Sequence, residues 1–150
     1  MNRLIIAAVL GMLLTRCAGL PKDHYIVCPY DTVWEAAVET MNDRPITVKN
    51  KDKGLIETGW TEMVATERPY GVFARDAFDN KERARMSLSL KPMNDVTEVS
   101  VVEMRQRWHL RGGVTQQATK WWPIEPSEAA MTAVMDRMND KLKDRGCTHG

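Results

Sequence analysis

The chain has 150 residues, 43% hydrophobic and 27% charged, with 21 Lys+Arg against 20 Asp+Glu and a net charge of +1. This composition excludes a disordered, collagen-like or multi-span membrane protein, and so neutral a chain has no electrostatic claim on nucleic acid. Setting aside an atypical N-terminal segment leaves roughly 130 residues, enough for one domain with its own core.

The chain opens with the basic Met1-Asn2-Arg3 and an apolar run from Leu4 to Leu14. A spanning helix needs about 20 such residues, so this shorter run is expected to be the hydrophobic core of a secretory signal peptide. Leu14-Thr15-Arg16-Cys17-Ala18 resembles a bacterial lipoprotein signal, in which the cysteine is lipidated and becomes the mature N-terminus. Leu14 and Thr15 fit that pattern, whereas Arg16 stands where a small residue is usual. The resemblance implies a signal peptide over 1–16 and a lipid anchor at Cys17. With Ala18 following the cysteine, it also implies the periplasmic face of the outer membrane. Cleavage after Gly19 by ordinary signal peptidase and an uncleaved anchor are the alternatives.

Residues 17–24 are expected to form a tether and 25–147 a single domain. Tyr25-Ile26-Val27 reads as a brief strand stopped by Pro29. Thr32-Val33-Trp34-Glu35 has the spacing of a capping box, and Trp34, Ala37, Val38 and Met41 recur at helical period, predicting a helix over 32–43 that Pro45 ends. Ile46 and Val48, then Ile56, Thr58 and Trp60, alternate on either side of Asn50-Lys51-Asp52-Lys53-Gly54, predicting a hairpin. Residues 62–81 read as irregular, with a turn at Pro69-Tyr70-Gly71 and a helical turn between Ala74 and Asn80.

Arg85 to Leu90 shows the clearest period of two, and the turn cluster Lys91 to Asp95 leads to its partner strand. In that partner Val99 and Val101 hold one parity and Met104 and Trp108 the other, which predicts a bulge near Val101-Val102 or a strand buried on both faces. Gly112-Gly113 breaks the chain. Trp121-Trp122-Pro123 precedes a second helix, started by Pro126 or Ser127 and closed by Gly146, whose apolar stripe is Met131, Val134, Met135, Met138 and Leu142.

There are three cysteines. With Cys17 assigned to lipid, Cys28 and Cys147 remain as an even pair in an oxidising compartment, one before the first helix and one after the last. A disulfide between them would close a long loop; two unrelated thiols are the alternative. No CxxC or paired histidine spacing points to zinc.

Two amphipathic helices and two hairpins predict an α+β two-layer sandwich, an antiparallel sheet of about four strands covered on one face by both helices. The segments Val33-Trp34-Glu35-Ala36-Ala37 and Lys53-Gly54-Leu55-Ile56-Glu57-Thr58-Gly59-Trp60, with the Arg83-Ala84-Arg85 strand and its Val-rich partner, resemble the helix-grip repeat of the BamC lipoprotein family. The resemblance covers roughly residues 30–145 and implies an envelope lipoprotein with an accessory role in outer-membrane assembly. That family carries a long unstructured N-terminal segment and two such domains; this chain reads as a short tether and one.

Nothing in the sequence has the pattern of an active site. Ser87, Ser89 and Ser100 fall on strand patterns and Ser127 at a helix cap, with no G-x-S-x-G. His24, His109 and His149 are dispersed, and Asp136 and Asp140 have the spacing of an ordinary solvated helical pair. No cofactor, metal site or catalysis is expected.

Binding is the better class, and a protein partner in the envelope is the expectation. Trp34, Trp60 and Trp108 fit core positions. Trp121 and Trp122, if extended, point to opposite faces, so one of them is the candidate partner-binding residue. Met131, Met135 and Met138 read as core. Arg83/Arg85 and Arg105/Arg107 sit on facing strands, either as a solvated face or as a contact for an acidic partner or lipid headgroups. The second functional reading is a carrier or sensor that holds an apolar small molecule between the sheet and the C-terminal helix.

Overall fold

The computed structural model describes residues 23–65, 81–109 and 120–149. The expected signal segment, Cys17, most of the expected tether, the turn expected at Pro69-Tyr70-Gly71, the Ala74 to Asn80 stretch and Gly112-Gly113 lie outside the described residues. In chain order the elements are β1 (Asp23–Val27), α1 (Tyr30–Met41), β2 (Ile46–Asn50), β3 (Leu55–Thr58), β4 (Thr61–Val64), β5 (Lys81–Met93), β6 (Val96–His109), β7 (Lys120–Ile124), α2 (Glu128–Asp144) and β8 (Thr148–His149). Asp23 and His24 thus belong to the first strand, not to the tether.

The strands pair antiparallel in the order β2-β3-β5-β6-β1-β8, with β4 also beside β5 and β7 also beside β6. This overturns the expected sheet of about four strands under two helices: eight strands are present among the described residues and the fold is mostly sheet. The extra strands β4, β7 and β8 are two to five residues long. So short a segment offers too few alternations for period two to register, and Pro123 inside β7 argues locally against a strand.

The axis of the sheet is the β5–β6 hairpin, of 13 and 14 residues. Asn94 takes φ 51° at its turn, a left-handed conformation asparagine tolerates. Its register runs unbroken from Glu82↔Arg107 to Met93↔Val96, so the predicted bulge is not there. The hairpin is flanked differently along its length. Near the turn, β3 pairs with Ser87 to Ser89 and β1 with Thr97 to Ser100. At the far end, β4 pairs with Lys81 to Ala84 and β7 with Arg105 to His109.

The core lies over the near half. Met86, Leu88, Leu90, Val99 and Val101 alternate onto one face and are buried with Val33, Trp34, Ala37 and Met41 of α1 and Val134, Met135, Met138 and Leu142 of α2. Burying side chains of this size contributes about 1.5–3 kcal/mol each. The helices are tied edge to edge by Arg137 to Asp43 (2.8 Å), Lys141 to Glu39 (3.6 Å) and the Arg145 guanidinium, which donates to the Thr32 carbonyl at 3.2 Å. Exposed pairs of this kind add at most about 1 kcal/mol apiece and mainly fix alignment.

Helix α2 begins where the sequence places it: the Ser127 hydroxyl accepts from the Ala130 N–H at 3.2 Å. Helix α1 does not. It starts at Tyr30 with Pro29 as its cap, and no side chain caps it, so the Thr32/Glu35 box is not formed. The Pro29 carbonyl already accepts the Thr32 and Val33 N–H groups, while the Tyr30 hydroxyl donates to the Lys51 carbonyl at 2.6 Å and pins the first turn. Just ahead of that turn, Cys28 meets Cys147 at disulfide distance, with Cα atoms 5.4 Å apart. That separation meets the geometric requirement for a bridge. Gly54 closes the β2–β3 turn at φ +62°, where a Cβ would fall 1.8 Å from the Leu90 carbonyl oxygen. Only glycine allows this approach, through which the Leu90 N–H donates to the Gly54 carbonyl at 2.7 Å.

Candidate functional site

Alternation along β5 and β6 fixes which side chains share a face. Continuing the core parity outward along the hairpin brings Glu82, Glu103, Arg105 and Arg107 onto the helix-side face, where Val, Leu and Met sit nearer the turn. The opposite parity brings Arg83, Arg85, Met104, Gln106 and Trp108 onto the outward face. Buried ion pairs thus lie on the helix-side face, where apolar side chains are usual, while arginine, methionine and tryptophan share the outward face. This exchange, rather than a bulge, is the source of the parity switch near Val101-Val102. Nor is the strand buried on both faces, because Val102 and Met104 remain 41% and 44% exposed.

The inward charges neutralise one another. Glu82 is 5% exposed and Glu103 2%. Arg105 reaches Glu82 and Glu103, each at 3.3 Å, and Arg107 Nε donates to Glu82 at 2.9 Å while its terminal nitrogen forms a second, shorter bond there. Glu103 also accepts the Ser127 N–H, which ties the network to the start of α2. Buried carboxylates need such partners, since an unpaired one would cost several kcal/mol.

The outward residues form a ladder. The Arg83 guanidinium contacts two indoles, 4.5 Å from the Trp60 ring centre and 4.4 Å from that of Trp121. The Arg85 guanidinium lies 5.2 Å from the same Trp60 ring centre, and its nitrogens donate to the Met104 sulfur at 3.0 and 3.2 Å. Trp121 meets Trp108 edge to face at 5.2 Å, directly across the β6–β7 pairing. Each cation–π contact at such a site is worth about 0.5–1 kcal/mol and holds both partners in place. Three strands and the residue just ahead of a fourth supply the ladder: Trp60 precedes β4, the arginines lie on β5, Trp108 on β6 and Trp121 on β7.

Trp34 is buried in the core. Trp60 and Trp108, expected there too, are half-buried on the outward face instead. The cause is local: Gly59 interrupts the alternation after the buried Thr58, and Trp108 keeps the outward parity of Met104. Trp121 and Trp122 do lie in an extended strand. Trp121 joins the ladder, and Trp122 sits opposite Arg107 on the ionic face, both half-buried. Sequence reasoning missed Arg83 as the centre of the group, because its two indoles come from segments 23 residues before it and 38 after it. The available signal was the parity switch itself.

A second concavity, a shallow open groove, lies between Tyr30, Lys51, Lys53, Gly54 and Lys91. One of its three lysines is engaged: the hydrogen bond with Asp31, 2.8 Å away, raises the Lys51 pKa above the usual lysine value. Burial, the largest influence on Tyr30, raises that hydroxyl's pKa and keeps it a donor. Among the described residues no three His, Cys, Asp or Glu side chains are grouped to hold a metal, and no helix is long and apolar enough to cross a membrane. The outward ladder, which gathers side chains from distant segments on one sheet face, is the candidate site. No protein-family model matches the sequence, and no curated protein matches it.

Proposed function

We propose that this protein is a lipid-anchored envelope protein that acts as a non-catalytic accessory or scaffold subunit, docking a partner protein on its outward Arg–Trp face. The observation that carries the reading is the ladder of Trp60, Arg83, Trp121 and Trp108 on a sheet face that no helix of the described chain covers. Tryptophan and arginine are the residue types most enriched at binding hot spots, and here they are held rigid before any partner arrives. Export is supported by the apolar N-terminal run and by the proximity of Cys28 and Cys147. The resemblance to the BamC lipoproteins supports placing the role in outer-membrane protein assembly.

A carrier of apolar ligands would need room between the sheet and α2. That space is occupied by Val134, Met135, Met138 and Leu142, all buried, which favours docking. Affinity purification from detergent-solubilised membranes tests the proposal. Trp121→Ala should lose co-purifying protein by tenfold or more while the purified variant still melts cooperatively. Undiminished co-purification would contradict it.

A further inference from the structure

We infer that the outward ladder receives an extended acidic segment of the partner protein, its carboxylates held by Arg83 and Arg85. The inference rests on the docking role proposed above and supplies the chemistry of what docks.

The four arginines of the β5–β6 hairpin divide by face. Arg105 and Arg107 point inward and are met by Glu82 and Glu103. Arg83 and Arg85 point outward, and among the described residues no carboxylate pairs with either. The nearest cross-strand candidate, Glu62 opposite Arg83, places its carboxylate 3.9 Å from Lys81 instead. The hairpin thus neutralises its inner charges and leaves two positive charges on the face that carries the indoles.

Arg83 is preorganised for a bidentate acceptor. Trp60 and Trp121 both lie within cation–π reach of its guanidinium, and its Nε donates to Gln106 at 2.8 Å. Its terminal nitrogens have no acceptor among the described residues and are not buried. A planar fork fixed by two indoles and a hydrogen bond at Nε, with its terminal nitrogens open, suits a carboxylate, which accepts two parallel N–H bonds. Arg85 lies two residues on, about 7 Å along the strand. Alternate side chains of an extended segment repeat that spacing, so acidic residues at i and i+2 would meet both arginines. The next inward side chain would reach exposed Val102, which lies opposite Ser87.

Two other occupants fit less well. In a two-fold pairing of identical copies each ladder would face its own image, setting arginine against arginine. A bilayer would favour aromatic rings projecting into the interface; these indoles are half-buried and lie against the arginines.

The test uses the processed full-length protein in neutral detergent, at low salt, titrated by tryptophan fluorescence with an eight-residue peptide alternating glutamate and threonine. Its glutamine counterpart and phosphatidylglycerol vesicles are the comparisons. The acidic peptide should bind, weaken as salt rises, and weaken at least tenfold in Arg83→Gln, with partial recovery in Arg83→Lys. Arg85→Gln, which leaves both indole contacts of Arg83 intact, should weaken it less. No binding of the acidic peptide, equal binding of the glutamine peptide, no effect of Arg83→Gln, or binding of the vesicles alone would each overturn the inference. Co-purification separates it from the docking role. If Trp121→Ala loses the partner and Arg83→Gln retains it, only the acidic chemistry fails; if neither variant loses it, the docking role fails as well.

Discussion

Arg83 and Trp121 lie 4.4 Å apart, guanidinium carbon to ring centre, although the strands that carry them never pair. Strand β6 runs between β5 and β7, so the contact reaches across an intervening strand. It locks the free end of the long hairpin to β7. A double-mutant cycle on Arg83→Gln and Trp121→Ala, read by chemical denaturation, should give a coupling of about 0.5–1 kcal/mol. A coupling of zero would mean the two side chains are neighbours without mutual support.

On the opposite face of the same hairpin end, Glu82 answers two arginines. Glu82→Ala should destabilise the fold by about 2–4 kcal/mol, because Arg105 and Arg107 lose their shared acceptor while three-quarters buried. Thermal melts of this variant beside Glu62→Ala, an exposed control, give the comparison. Equal and small losses would show that the network is solvated.

Several local features could be read from residue order, although the extent of the sheet could not. The helix caps at Ser127 and Gly146, the apolar stripe of α2 and the Arg85 to Leu90 alternation all rest on interactions within a few residues, and the structure places them accordingly. What failed depended on contacts between distant segments. The start of α1 is set by Tyr30 reaching Lys51, so the local capping pattern at Thr32 is bypassed. Strand β4 is only four residues long and takes its conformation from β5. The ladder was the least legible part: Trp60 and Trp108 look like core by residue type, and only the register of four strands brings them to Arg83.

Gly54 should tolerate no side chain. Gly54→Ala places a methyl group on the Leu90 carbonyl and forces alanine into positive φ, so a loss of at least about 2 kcal/mol is expected by denaturant titration. Gly146 also has positive φ, but nothing lies within 4 Å of its Cβ direction, and Gly146→Ala should cost about 1–2 kcal/mol from strain alone. Equal costs at the two sites would refute the close-approach argument.

Non-reducing peptide mapping should recover Cys28 joined to Cys147. The two residues are 119 apart, and closing so long a loop contributes up to about 4–5 kcal/mol in the chain-entropy view. Cys28→Ala with Cys147→Ala should therefore lower the melting temperature markedly, and reduction should not lower that of the double variant further. Recovery of both cysteines as free thiols from protein isolated under alkylating conditions would contradict the bridge.

The anchor has an equally direct check. Mass spectrometry of protein purified from membranes should show a chain beginning at an acylated Cys17, and Cys17→Ala should release the protein from the membrane fraction. A mature terminus at Leu20 would rule the lipid anchor out.

The docking claim is tested most directly by placing a photo-crosslinking amino acid at Met104, on the outward face beside the ladder, and separately at Asp136, on the exposed side of α2. After irradiation of intact cells, Met104 should give one discrete adduct that Trp121→Ala abolishes, and Asp136 should give none of the same mass. An adduct at Asp136 with none at Met104 would place the partner on the helices and contradict the account.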